Sequence, residues 1–389
     1  MDAMTLETAT GADEDGQCLS SPVKPALKVL AVTRGMLIGR EAFTAVAARH
    51  PYAGVGGDYR ELLTTSALGA LDDDEPALLL AALGDLPIGR ISLFNGLAHA
   101  GGRPIPMIWC SGLDVQDQYR QTGAGLLLLL RLRAMNVPIG VVGVSRRALD
   151  IYTKLGWRDM AATRYIFLLR SGPIMSVRLG AGLISRMLEA GIDGLLRLHR
   201  IAFSGLCLWR LRNLRVERCD AMPADLDQLI QNGAGAGPRC HRSARWVNWC
   251  MTTGPKENQR SLHLVKSRSG EALGYFVHSL LTHSDSEENV RSFTGLRLAS
   301  LRDWMSFDQK RLPDSLLIAA AVKSMMQRNA DAIEVCVPEH DVAVRLRWIG
   351  MHPRGKLHFL FRAPPGVWQS AAGENDWWWR PADGDGFIN

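Results

Sequence analysis

Residues 113–130 read LDVQDQYRQTGAGLLLLL, and no other stretch limits the fold of this chain so tightly. Apolar, strand-like residues run directly into a turn with Gly123 and Gly125, and then into a leucine-rich helix. Glycine inside a helix costs roughly 1 kcal/mol relative to alanine, so the pair belongs to the turn that opens the helix. A strand that feeds a helix this way commits the segment to an α/β architecture. The first amides of such a helix have no internal acceptor and sit at the positive end of its dipole. Without Cβ atoms in the way, that backbone can curl around a phosphate. Arg120-x-x-Gly123-x-Gly125 is not a P-loop, because no Lys-Ser/Thr follows, and it is not the GxGxxG turn of dinucleotide-binding folds.

Around this turn the chain alternates strands and helices. LKVLAVTRG, PALLLAAL, GRISLFN and PMIWCSGLDV read as strands, EAFTAVAARH as a helix, and GDLP as a turn. Leu126 to Met135 is helical, IGVVGV is a short buried strand, RRALDIYTKLG is a helix closed by Gly156, and RYIFLLR is a further strand. After residue 213 a similar order returns. LRVERCDAM, HLVKSRSGEALGYFVHSLL and FTGLRLASLRDWM read as strands and PDSLLIAAAVKSMMQRN as a helix. AIEVCV is a buried strand, EHDVAVRLRWIG a helix and KLHFLFRA a last strand. The repeat lies in the pattern of elements and hardly in residue identity. The second copy has SFDQKRLPDS where the glycine turn should fall, and Pro313 there removes a donor, so only the first half is expected to cradle an anion. RWVNWCMTTGP reads as a packed amphipathic helix, with Trp249 offering an apolar wall to an acceptor.

The turn resembles the acyl-CoA-binding motif of the GNAT superfamily of N-acetyltransferases, carried here by Val115, Tyr119, Arg120, Gly123 and Gly125. A second motif of that superfamily is matched by SRRALDIYTKLGW, through Ser145, Ala148, Tyr152, Gly156 and Trp157. The two motifs stand in the superfamily's order with a short strand between them, and the likeness covers residues 28–170. It implies two tandem GNAT-like domains of the α/β class, each a mixed twisted sheet flanked by helices, with the second degenerate. It also implies acetyl-CoA or another acyl-CoA as cosubstrate, and no metal. The amides of Arg120, Gln121, Thr122, Gly123, Ala124 and Gly125 would hold the pyrophosphate. Backbone groups of Leu113 and Val115 would pair with the pantetheine arm. Ser145 stands where the superfamily more often has Asn, which weakens one cofactor-side hydrogen bond. Tyr152 would lie near the sulfur, where a phenol can protonate a departing thiolate. Attack on a thioester also needs a neutral amine, and Asp114 on the strand, or His99 in the loop before it, is a candidate base.

At 389 residues the chain exceeds what one core usually serves, and 47% hydrophobic residues suffice for two. The expected division is a polar tail at 1–24, a first GNAT domain at 25–171, and a helical connector at 172–213. A degenerate second domain at 214–365 and an aromatic, acidic tail at 366–389 complete it. The connector has apolar residues at helical spacing with arginines between them. Two buried helices and a basic helix on a membrane surface are both open for it. Seven cysteines without a CxxC pair argue against a zinc site or a disulfide framework and fit a reducing compartment. The acidic N-terminus lacks the apolar core of a secretory signal, and a cytoplasmic location is expected. A net charge of +6 selects no partner by itself. The expected partner is a small amine or amino sugar, with no nucleic acid. A non-catalytic acyl-CoA binder and a Fem-type aminoacyl-tRNA-dependent transferase are the rival readings, and an intact pyrophosphate turn argues against the latter.

Overall fold

The computed structural model describes residues 25–38, 72–100, 103–179, 182–233, 239–253, 259–282, 295–338, 340–364 and 379–383. The polar tail 1–24 and the helix expected at 41–50 lie outside the described residues, as does all of 366–389 except 379–383. The first half contains β1 (Leu27–Thr33), a single turn α1 (Arg34–Ile38), β2 (Pro76–Leu83), β3 (Leu86–Ala100) and β4 (Arg103–Val115). It continues with α2 (Ala124–Ala134), β5 (Ile139–Val142), α3 (Arg146–Lys154), β6 (Arg158–Asp159) and β7 (Ala162–Leu168). Two helices follow, α4 (Gly172–Leu179) and α5 (Leu183–Arg210). The second half runs β8 (Leu214–Cys219), α6 (Asp227–Gly233), β9 (Arg239–Cys240), α7 (Ala244–Thr252), β10 (Gln259–Ser267) and β11 (Ala272–Thr282). It ends with β12 (Arg297–Ser306), α8 (Asp314–Met326), β13 (Ala332–Val337), α9 (His340–Trp348), β14 (His352–Leu357) and β15 (Phe359–Arg362).

These strands form two mixed sheets flanked by helices. The first has eight strands, in the order β1-β2-β3-β4-β5-β15-β6, with β9 added against β3. The second has seven, in the order β14-β7-β13-β12-β11-β10-β8. In each, a run of antiparallel strands ends on one parallel pair, β4 with β5 and β12 with β13, because a helix crosses between them. The helix α2 buries Ala124, Leu128, Leu129 and Leu132 on one face, and Arg131 and Arg133 in its last turn complement its dipole.

The sheets do not follow the chain divisions at 171 and 214. Strand β7 lies in the second sheet between β14 and β13, while β15 lies in the first between β5 and β6. The run KLHFLFRA, expected to be one strand, is two: it breaks at His358, and its halves enter different sheets. Each half therefore completes the other, and the sheets share a seam. His99 also departs from expectation, since it lies on β3 rather than in a loop.

The segment Trp379–Asp383 is tied into this seam. Trp379 is 1% exposed and packs on Phe359 with ring centroids 5.2 Å apart. The Arg380 guanidinium sits 4.1 Å above the Trp304 ring, and the Ala382 amide donates to the Arg302 carbonyl at 2.8 Å.

Candidate functional site

Strands β4 and β5 pair over three positions, Ile108 to Cys110 against Ile139 to Val141, and then part. Beyond Cys110 the strand β4 keeps its pairing with β3 but carries one extra residue between Ser111 and Asp114, with Gly112 at φ 60°. Such a bulge twists a strand away from its neighbour. The result is a cleft of about 270 Å³ between the diverging strands. Its walls include Ser111, Gly112 and Leu113 from β4, Gly143 to Ser145 after β5, and Ala148 and Tyr152 from α3.

The glycine turn stands at the outer end of β4. Residues Asp117–Thr122 form one 3-10 segment, and Gly123 caps α2 at φ 80°, ψ 7°. That left-handed conformation is why the position is glycine: a Cβ there would meet nothing within 4 Å, so backbone shape and not crowding selects it. Gly123 itself offers no capping side chain, and the one side-chain contact at the helix start is a long bond at 3.4 Å from the Ala124 amide to the Thr122 hydroxyl. Three contacts pre-set the turn. The Thr122 hydroxyl donates to the Tyr119 carbonyl at 2.7 Å, the Gln116 amide donates to the Ile88 carbonyl at 2.9 Å, and Arg120 pairs with Asp117 at 2.6 Å. Gln121 is exposed beside them, Ala124 is buried, and a Cβ on Gly125 would only touch Val115 at 3.5 Å.

Leu113 and Val115 pack against the core beneath α2, and alternation turns Asp114 to the other face of the sheet. Asp114 lies opposite Arg90 in the ladder and does not line the cleft. Tyr152 is 1% exposed, edge-on to Trp157 at 4.9 Å, with its ring on the cleft wall. Ser145 caps α3, its Oγ accepting from the Ala148 amide at 3.3 Å. Its hydroxyl proton remains a donor toward the cleft.

On the opposite face of the sheet, where the strands part, lies Trp109. It rests flat across two strands, and a Cβ at Gly96 or Gly140 would come within 2.5 or 2.6 Å of its ring. Above it is a narrow cavity lined by Asn95, Trp109, His241, Trp246, Trp249 and Asp383. Trp246 and Trp249 come from α7, the helix expected at RWVNWCMTTGP, and Ser243 caps its start. His99 Nε2 and His241 Nδ1 are 2.9 Å apart, with their rings stacked at 5.2 Å. Burial, then the neighbouring His99 and Arg242, push His241 down to about 4; burial and Arg239 lower His99. Both are neutral at pH 7, and His241 is too weak a base to draw a proton from an ammonium group.

Arg242 carries the cavity's far wall. It bonds to Asp303 at 3.1 Å and Asp383 at 2.6 Å, and lies 3.9 Å over the Trp246 ring. Tyr275 donates to Asp303 at 2.6 Å. Sequence reading missed His241, Arg242, Asp303 and Asp383. Nothing local marks them as a group, since the contacts His99–His241, Arg242–Asp303 and Arg242–Asp383 span 142, 61 and 141 residues.

The second sheet carries the same device in altered form. β12 pairs with β13 over three positions, Leu298 to Ser300, and then gains one extra residue at Arg302, two positions on, as β4 does at Gly112. Here the exposed strand edge is taken: the Ala382 amide bonds to the Arg302 carbonyl. The turn before α8 and the helix's first amide are taken as well. Asp308 accepts the Lys310 and Arg311 amides, Gln309 accepts that of Asp314, and Arg380 approaches the Asp314 carboxylate at 3.6 Å.

No protein-family model matches the sequence, and no curated protein matches it. Solved structures do match. N-myristoyltransferase of Saccharomyces cerevisiae with bound myristoyl-CoA aligns at TM-score 0.53 and 12% identity, over 94% of this chain and 90% of that one. The chain has the GNAT fold, built twice. A GCN5-related N-acetyltransferase from Anabaena variabilis aligns at TM-score 0.51 and 12% identity, over 87% of this chain and 72% of that one. A probable N-acyltransferase from Enterococcus faecalis aligns at 0.51 and 10%, over 87% and 73%. At these identities the shared property is the GNAT fold.

Proposed function

We propose that this protein transfers an acyl group from acyl-CoA to an amine, with one cosubstrate site, in the first sheet. The observation that carries this reading is the β4–β5 cleft together with the glycine turn at the outer end of β4, where only a long bond to Thr122 touches the start of α2. Amides from Arg120 to Gly125 bind the pyrophosphate, with Arg120 beside them. The freed edge of β4 at Leu113 and Val115 pairs with the pantetheine amides as an added strand would, and Ser145 donates from the facing side. The thioester then reaches the point where the strands part, and the acceptor amine enters from the Trp109 face. The amine nitrogen attacks the thioester carbonyl, the tetrahedral intermediate collapses, and the C–S bond breaks. Tyr152 gives its phenolic proton to the leaving thiolate. Asp114 and His99 are unsuited to act as direct bases: the first lies off the cleft, the second is paired with His241. The amine is therefore expected to arrive neutral or to lose its proton through water.

The neighbours' names concern acetyl and myristoyl transfer; the acceptor proposed here is a small amine or amino sugar, and the cavity walled by Trp109, Trp246 and Trp249, about 20 Å³, has to widen to admit it. Seven cysteines without a CxxC pair fit a reducing, cytoplasmic setting. The test is a screen of acyl-CoA thioesters against pooled amines and amino sugars, read by thiol release. Thiol release that requires both substrates supports the reading. Tight acyl-CoA binding with no turnover in any pool would make the protein a binder, and no binding at all would favour an aminoacyl-tRNA donor.

A further inference from the structure

The helix α5 has two apolar faces. One packs on the second half through Phe203 and Cys207, both buried. The other points outward. Leu183 and Ile184 are 75% exposed, Met187 and Leu195 68%, Leu198 65% and Ile201 61%. At 100° per residue these, with Gly191, Gly194 and Gly205, fall on one side of the helix, and no charged residue interrupts them. Leu208 and Trp209 extend the stripe, so it runs ~39 Å from Leu183 to Trp209 at 1.5 Å per residue. Isolated exposed leucines are ordinary, but a continuous stripe of this length marks an interaction surface.

We propose that this face lies on an anionic membrane surface, with the helix in the plane of the interface. Charge selects the occupant. Arg186 and Arg197 border the stripe, Arg210 lies 4.9 Å over the Trp209 ring, and Arg212 follows. The two carboxylates of the helix face the protein instead. Asp193 accepts from the Ser171 amide and hydroxyl at 2.7 and 2.8 Å, and Glu189 lies against Gly172. The outward side is thus apolar in the middle and positive at its edge, the pattern of an interfacial helix. A second copy of this chain would set arginine edges against one another with no outward carboxylate on either helix to pair with them. No helix among the described residues is long and apolar enough to cross a membrane, so this one rests on it.

A second feature adjoins the same end of the helix. A cavity of about 490 Å³ has Leu208, Leu211 and Leu214 in its wall and Arg212, Arg218 and Lys323 around it. Apolar lining under three cations suits the phosphate headgroup and upper acyl carbons of one anionic lipid. This inference does not depend on acyl transfer.

The test is flotation of the full chain with phosphatidylcholine vesicles, with and without phosphatidylglycerol, at low and high salt. The expected result is binding that needs phosphatidylglycerol and weakens at high salt. The double variant Leu198→Glu, Ile201→Glu changes two exposed positions. Its fold is checked by circular dichroism, and its binding should fall at least ~10-fold. Arg212→Glu with Lys323→Glu should reduce the preference for phosphatidylglycerol. A full chain that never floats, or a folded double variant that floats as well as the parent, overturns the proposal. A dimer in sedimentation that the same double variant dissolves, without vesicle binding, assigns the face to a second copy and also overturns it.

Discussion

Replacing Gly123 separates the backbone role of the turn from its charge. Gly123 is left-handed, so any side chain there carries a backbone cost of about 1–2 kcal/mol. A Cβ at this site meets nothing within 4 Å, so the substitution fits without steric conflict and the fold should persist. Gln and Glu share that cost and nearly share a shape, and they differ by one charge. A carboxylate ~5 Å from a pyrophosphate of about two negative charges repels it by about 1.7 kcal/mol at a dielectric constant of ~80. That corresponds to roughly 15–20-fold in Kd. Titration calorimetry with acetyl-CoA on both variants measures the difference. Gly123→Glu should bind at least ~10-fold more weakly than Gly123→Gln, and the gap should narrow as salt is raised. Equal affinities in two folded variants would mean that no phosphate approaches this turn.

Other consequences are equally direct. Tyr152→Phe should lower turnover ~100-fold while acyl-CoA affinity stays within a few-fold, because the proton matters in the transition state; near-normal turnover would reduce Tyr152 to packing against Trp157. Asp303→Asn strips a buried charge partner from Arg242 and an acceptor from Tyr275, and should cost about 3–5 kcal/mol in urea unfolding. Asp383→Asn leaves Arg242 with Asp303 and should cost less, about 1–3 kcal/mol; the reverse order would contradict the described wiring. His241 is held at about 4 and His278 at about 3, both mainly by burial, against 6.5 for the unfolded side chains. Between pH 6.5 and 4 the unfolded chain therefore binds more protons, and stability should fall as pH drops through that window. A urea midpoint equal at pH 7.5 and pH 5 would contradict this.

The local devices were legible in the sequence and the long-range ones were not. Gly123 and Gly125 announce a strand-to-helix turn because glycine has a local conformational reason to stand there. Tyr152 and Ser145 are singled out by the resemblance of SRRALDIYTKLGW to a GNAT motif, and both line the β4–β5 cleft. The exchange of β7 and β15 left no local mark, since an apolar run such as FLFR encodes a strand but not its sheet. His358, where KLHFLFRA divides, looks like any polar residue in a strand, and its bond to Asp159 at 2.8 Å spans 199 residues. Trp379 to Asp383 read as an acidic aromatic tail. Their burial depends on Phe359, Trp304 and Arg302 being brought together first.

That tail segment bears on the central claim of a single cosubstrate site. The second cleft offers the same bulged strand, but its edge is bonded to Ala382, its turn amides to Asp308 and its helix start to Gln309. The most direct measurement is the stoichiometry of acyl-CoA binding to the full chain by titration calorimetry. One site per chain, abolished or strongly weakened by Gly123→Glu, is the expected result. Two equivalent sites, or one site indifferent to Gly123, would contradict it.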